Sequence, residues 1–356
     1  MGHSTGGAVY GTGCGISSTS TSGQMTDGTN VVLADNAYVE RGIYGGGALG
    51  YVLDNKTSNI YITGGHVGAQ EGQIKNEATN PATNITLPGG VFGGACYRGG
   101  GTANIYMYGG LIEGGIYGGS NANGTLAANA NVVINGGQVG LDASHPANVH
   151  GGGLGSPTRV LGSVNVTVGK SGATDGATIY GDVYGGSAEG KTNGNGARTT
   201  DAVTNVTLNA GTVNGNVYGG GLGTSTYSAD VWGPVTVTVT GGEAQNIFGC
   251  NNTNGAPRNT VDVNMTGGLV HECVYGGGNA AAYTAPANET LDVTISGGEV
   301  KKNVFGGGLG SSAVVTGNTN VKVIGTSTKV DGNVYGGGSA ADVTGKTYVT
   351  VGRKKN

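Results

Sequence analysis

Short stretches of this chain alternate apolar and polar residues and then close on a pair of glycines. They include NIYITGG (Asn59–Gly65), NIYMYGG (Asn104–Gly110), NVVINGG (Asn131–Gly137), TVTVTGG (Thr236–Gly242), DVNMTGG (Asp262–Gly268) and DVTISGG (Asp292–Gly298). Aligned on the glycine pair, one apolar column holds Ile60, Ile85, Ile105, Val132, Val206, Val237, Val263 and Val293. A second, two residues on, holds Ile62, Leu87, Met107, Ile134, Leu208, Val239, Met265 and Ile295. The positions between are mostly Thr, Asn, Tyr or Ser. Period-two alternation with one apolar face predicts a β-strand that must bury that face against something.

A second phrase follows each strand. It reads IYGGG at Ile43–Gly47, VFGGA at Val91–Ala95, VYGGS at Val183–Ser187, VYGGG at Val217–Gly221, VFGGG at Val304–Gly308 and VYGGG at Val334–Gly338. Its aromatic position is Tyr44, Phe92, Tyr117, His150, Tyr184, Tyr218, Phe248, Tyr275, Phe305 or Tyr335, with an early copy at Tyr10 and a degenerate one at Gly68. The copies recur at roughly 24 to 34 residues, a constant unit carrying an insert of changing length. No unit can bury its apolar face alone, so the units must stack.

The predicted fold is all-β: a right-handed parallel β-helix, or β-solenoid, of about twelve irregular rungs. Each rung offers two short strands and a third contributed by its loop. At about 4.8 Å per rung, the rod is roughly 55–60 Å long. The units are too short for the four strands of a propeller blade. Residues 1–356 read as one solenoid domain, a segment of a longer protein.

Composition removes other classes. The chain has 356 residues with 78 Gly and only 7 Pro, without the every-third-residue glycine of collagen. Its β-branched runs argue against disorder. A formal net charge of −4 gives no electrostatic case for nucleic acid or an anionic membrane surface. No apolar run approaches the roughly 20 residues of a membrane span, so direct membrane insertion is not expected. No signal peptide is evident, Met1-Gly2-His3-Ser4 reads as a remnant of expression, and Arg353-Lys354-Lys355 reads as a domain edge. Cys14, Cys96, Cys250 and Cys273 form no CxxC pair and are expected as free, partly buried thiols.

The search for chemistry returns little. HExxH, GxSxG, P-loop and Rossmann signatures are absent. No catalytic residue, metal site or cofactor is assigned. Asn59, Asn84, Asn104, Asn131, Asn205, Asp262 and Asp292 share one register. They are expected to form a side-chain ladder at a rung corner. The carboxylate pairs Asp262/Asp292 and Glu243/Glu299 are the positions to check for glycoside chemistry; Glu243 and Glu299 are two rungs apart, a separation of about 9–10 Å. His145 and His150 flank Pro146 and could share an environment. The aromatic column is expected to pack rung on rung; where its faces are exposed it could bind sugar or protein. Trp232, Tyr184, Tyr218, Tyr275 and Tyr335 are the candidate binding positions. The variable segments, such as Leu49–Ser58, Asn121–Ala130, Leu154–Ser163, Ala188–Thr204 and Leu222–Pro234, should emerge on one side and form the recognition surface.

The recurring unit resembles the Gly-rich β-helical segments of bacterial surface and adhesin-like proteins. That resemblance implies an extracellular or cell-surface scaffold whose loops meet glycans, host surfaces or neighbouring cells. With no capping helix at either end, end-to-end self-association is a further expectation. A β-helical polysaccharide-degrading enzyme and a phage tail-fibre or spike segment are the alternatives. Ice binding is more distant, because outward Thr236, Thr238 and Thr240 are not repeated as a flat Thr array.

Overall fold

The alternating strands lie side by side, parallel and in register, in this computed structural model, which describes residues 4–5, 7–17, 21–76 and 83–352. Met1–His3 and Arg353-Lys354-Lys355 lie outside the described residues. The result is an all-β parallel solenoid. Strands such as Thr57–Ile62, Thr102–Met107, Ala130–Ile134, Val164–Val168 and Thr204–Leu208 build one face, each burying every second residue. Ile60, Ile105, Val132, Val166, Val206 and Val237 follow one another as register partners.

Each rung then turns twice. The segment expected as one second strand is split. Thr212–Val213 continues the 20-stranded sheet of the first face, whereas Val217–Tyr218 belongs to a separate 11-stranded sheet. Asn214-Gly215-Asn216 makes the bend between them, with Asn216 N donating to Asp182 Oδ1 of the preceding rung at 2.7 Å. Aliphatic side chains from all these strands meet in one core running from Val31 to Val323.

The 11-stranded sheet also corrects the rung order. Tyr44 pairs directly with Phe92, so no rung intervenes at Gly68. After Val67 the chain leaves the solenoid, forms an antiparallel hairpin of Gly72–Asn76 with Thr83–Leu87, and returns at Gly90–Phe92. The alternation around Asn84, Ile85 and Leu87 is thus used for hairpin pairing rather than for a rung.

Two kinds of glycine shape the repeat. The second residue of the Gly-Gly turn is left-handed, as at Gly137 with φ 86°, a conformation that disfavours a side chain. Gly185, after the anchor aromatic, has no such torsion. A Cβ there would fall against the Gly219 carbonyl oxygen of the next rung. One glycine is required by the turn and the other by the closeness of the neighbouring rung.

Candidate functional site

Within the anchor strands, valine points into the core and the aromatic points out, where loop residues cover it. Eleven rings follow from Tyr10 to Tyr335, and from Tyr44 onward each lies 4.6–5.1 Å from the next with interplanar angles of 8° or less. Tyr184, Tyr218 and Tyr275 therefore have a ring on both faces, and all three are buried. Tyr184 Oη donates to Asp182 Oδ2 at 2.8 Å and accepts from Asn252 Nδ2 at 2.9 Å. Burial foremost, then the Asp182 charge, pushes its phenol well above the ordinary range. A sugar cannot stack on these three rings in this arrangement. Tyr335 ends the column, with Phe305 on one face, and is 44% exposed.

Trp232 sits on the loop side, where its backbone N–H donates to the Thr192 carbonyl at 2.9 Å. Its indole Nε1 is buried without a partner among the described residues. The Arg258 guanidinium lies 5.8 Å from its ring and pairs with Asp230 at 2.8 Å. Trp232 is half-buried, with the Arg258 guanidinium on its ring.

The Asn column forms an unbroken ladder from Asn30 to Asn205 on the outward side of the strands, not at a corner. Each Nδ2 donates to the Oδ1 of the rung before: Asn59 to Asn30, Asn104 to Asn59, Asn131 to Asn104, Asn165 to Asn131 and Asn205 to Asn165, at 2.8–3.0 Å. Thr236 interrupts it, Asp262 and Asp292 follow as register partners, and Asn320 donates to Asp292 at 2.5 Å. A second ladder, at the bend before the aromatic, joins Asn148, Asp182, Asn216 and Asn246. Its sequence signal is the Asn or Asp that precedes the anchor phrase.

The carboxylate pairs are engaged in structure. Glu243 and Glu299 are separated by the rung of Leu269, as their register required. Glu243 accepts from His271 at 3.0 Å. Glu299 accepts from Lys301 at 2.7 Å and also contacts Lys329; these cations hold it down to about 2. A carboxylate so stabilised in its charged form is a poor general acid. Asp262 is shifted upward by partial burial and by Asp292, while Asp292 accepts from Thr290 and Asn320. No group of three or more possible metal-ligating His, Cys, Asp or Glu occurs among the described residues.

His145 and His150 do not share an environment. His145 is exposed and bonds Asp142 at 3.0 Å, whereas His150 is buried within the aromatic column. The cysteines are free: Cys14 is exposed, and Cys96, Cys250 and Cys273 are buried.

The variable segments are more ordered than their sequences indicated. Their first residues form one more parallel ladder, Asn121, Leu154, Ala188, Leu222, Asn252, Asn279, Leu309 and Ser339. Beyond it, Thr125–Leu126, Arg159–Val160 and Lys191–Thr192 make a short third sheet, continued by Val231 and Pro257. This loop face carries a cavity of about 510 Å³ lined by Tyr51, Asp54, Tyr97, Arg98, Asn123 and Thr125, among others. A second cavity, of about 370 Å³, lies beside the column of Thr178, Thr212, Glu243 and Leu269 under the Ala173–Gly176 segment.

No protein-family model, curated protein or solved structure matches the chain.

Proposed function

We propose that this chain is a non-enzymatic structural and adhesive scaffold, extracellular or on a bacterial surface, whose loop face binds glycans or proteins of a host or neighbouring cell. The observation that carries this reading is the loop face itself. Segments of varied length and sequence leave one side of a rigid rod, and a ladder running from Asn121 to Ser339 fixes where each begins. Loops on a stiff frame are the usual carriers of recognition. The engagement of Glu299 by two lysines, and of Asp292 in the ladder, weighs against the polysaccharide-degrading alternative.

A glycan and mucin panel, read with and without calcium and over a range of salt, tests adhesion. Binding that is lost when the 188–204 and 222–234 segments are shortened supports the reading. Absence of binding to every glycan and cell-surface protein tried would remove it.

A further inference from the structure

We infer that the loop face contains a binding site for an acidic saccharide, centred on Tyr51, Tyr97 and Arg98 and continued by Arg159 and Lys191. It rests on the reading of that face as a glycan-binding surface and names the ligand class. The cavity of about 510 Å³ falls within the roughly 300–1,000 Å³ range of small-ligand sites. Its wall combines aromatic rings with hydrogen-bonding groups from Asp54, Asn123 and Thr125. Aromatic faces take the apolar side of a sugar ring, and polar side chains read its hydroxyls.

Charge narrows the choice. The Arg98 guanidinium lies 4.3 Å from the centroid of the Tyr51 ring, and Tyr51 Oη donates to Gln24 Oε1 at 3.2 Å. Ring and cation hold each other in place, so the guanidinium fork is positioned before any ligand arrives.

Two further cations stand on the rungs beyond the cavity's Thr125. Thr125, which lines it, is the register partner of Arg159, and Arg159 is the partner of Lys191. The next residues, Leu126, Val160 and Thr192, are buried, so this column is the outward one. Arg159 and Lys191 thus stand on successive rungs about 4.8 Å apart. Neither forms an ion pair with a described residue. Like charges directly opposite in a ladder repel. The chain is not short of acids to place beside them, having 21 Asp and Glu against 17 Lys and Arg. An external anion relieves that repulsion. A sugar ring against Tyr97 would give its acidic group to Arg98, and the next acidic group along the saccharide would reach Arg159 and Lys191. The guanidinium fork matches a carboxylate.

Immobilised polygalacturonate, dextran sulfate and neutral dextran test the site at low and physiological salt. Wild-type chain is expected to bind polygalacturonate at least about tenfold more tightly than dextran, more weakly as salt rises. The paired change Arg159→Glu with Lys191→Glu, and Arg98→Ala separately, should each remove about tenfold or more of that affinity. The milder pair Arg159→Gln with Lys191→Gln covers the case in which charge reversal disturbs folding, judged by circular dichroism. Tighter binding of dextran sulfate, lost in the same variants, supports the site with sulfate as the acidic group. Equal binding of acidic and neutral polymers, or acidic binding untouched by the paired changes, overturns it. If the glycan and mucin panel still shows binding in that event, the adhesive reading survives without this site; if nothing binds, both fall.

Discussion

The His150 ring lies 4.6 Å from that of Tyr184 at an interplanar angle of 2°, and 5.1 Å from that of Tyr117 at 1°. An imidazole occupies a position that every other rung from Tyr10 to Tyr335 gives to Tyr or Phe. It is buried, and its Nδ1 has no partner among the described residues. Burial penalises the imidazolium and pushes its pKa down to about 3. Between about pH 6.5 and 3 the unfolded chain binds a proton that the folded chain does not, so stability falls as pH falls, by about 1.4 kcal/mol per pH unit from this group. His150→Phe should flatten that dependence. At neutral pH it should also add about 1–2 kcal/mol by removing an unsatisfied polar atom. Urea unfolding of both chains at about pH 7.5 and about pH 5 checks this. Curves that shift equally with pH would show that His150 is not the group responsible.

Asn131 both donates to Asn104 and accepts from Asn165. Asn30, at the start of the ladder, accepts only from Asn59 along it. Replacing Asn131 by Ala breaks two bonds and leaves two neighbours without their partner, a cost of about 1–3 kcal/mol. Asn30→Ala should cost about half as much. Amide hydrogen exchange around Val132 and Val166 reports the loss locally, because each rung contacts chiefly its neighbours. Equal protection in both variants would show that the ladder adds nothing to stability beyond the backbone.

The alternation and the two glycine phrases made the solenoid legible before its geometry was known. Period two fixed which residues face the core, as Ile60 and Ile62 do. The spacing of the Tyr/Phe positions implied the ring column. The same pattern misplaced Ile85 and Leu87, because a strand paired in a hairpin carries the same alternation as one in a rung. Asn30, Asn165 and Asn320 escape the pattern because their strands run on into Ala34-Asp35, Gly169-Lys170 and Ile324-Gly325 instead of a glycine pair. The cavity at Tyr51, Tyr97 and Arg98 was invisible in sequence. It depends on bringing together segments far apart in the chain, such as those holding Tyr51, Tyr97 and Asn123, through loops whose path no local periodicity records.

Thr253 has φ 68°, and Ala122, Glu189, Ala280 and Ala340 take the same left-handed conformation just after the ladder residue of their own rungs. Gly155 and Gly310 serve that position elsewhere. A left-handed β-branched residue carries a steric cost of roughly 1–2 kcal/mol. Glycine removes it, while giving back part through the freer unfolded chain. Thr253→Gly should therefore stabilise the chain by up to about 1 kcal/mol, and Glu189→Gly by less, in thermal or urea unfolding. Destabilisation by Thr253→Gly would mean that the Thr253 side chain contributes more than its torsion costs.

In Thr347–Val351 all five residues are exposed, although Val349 and Val351 continue the columns of Val321 and Val323. One edge of this strand pairs with Asn318–Val323, and the other has no partner strand among the described residues. Val349 is 45% and Val351 67% exposed, so a core-type surface and a row of backbone hydrogen-bonding groups face outward together. Such an edge is a template for another parallel strand. The Thr29–Leu33 strand of a second copy, with Val31 and Leu33 in the matching apolar columns, would fit it in the same direction. Covering the two valines would contribute a few kcal/mol before the entropy of association is charged against it. Sedimentation over a range of concentrations should show end-to-end association in the wild-type chain, reduced by about tenfold or more when Val349→Lys and Val351→Lys are combined. The lysines place charge on the edge, and circular dichroism checks that the rung of Val321 and Val323 beneath them keeps its fold. A wild-type chain that stays monomeric at every concentration, or a doubly substituted chain that associates as strongly, would rule out this edge as the contact.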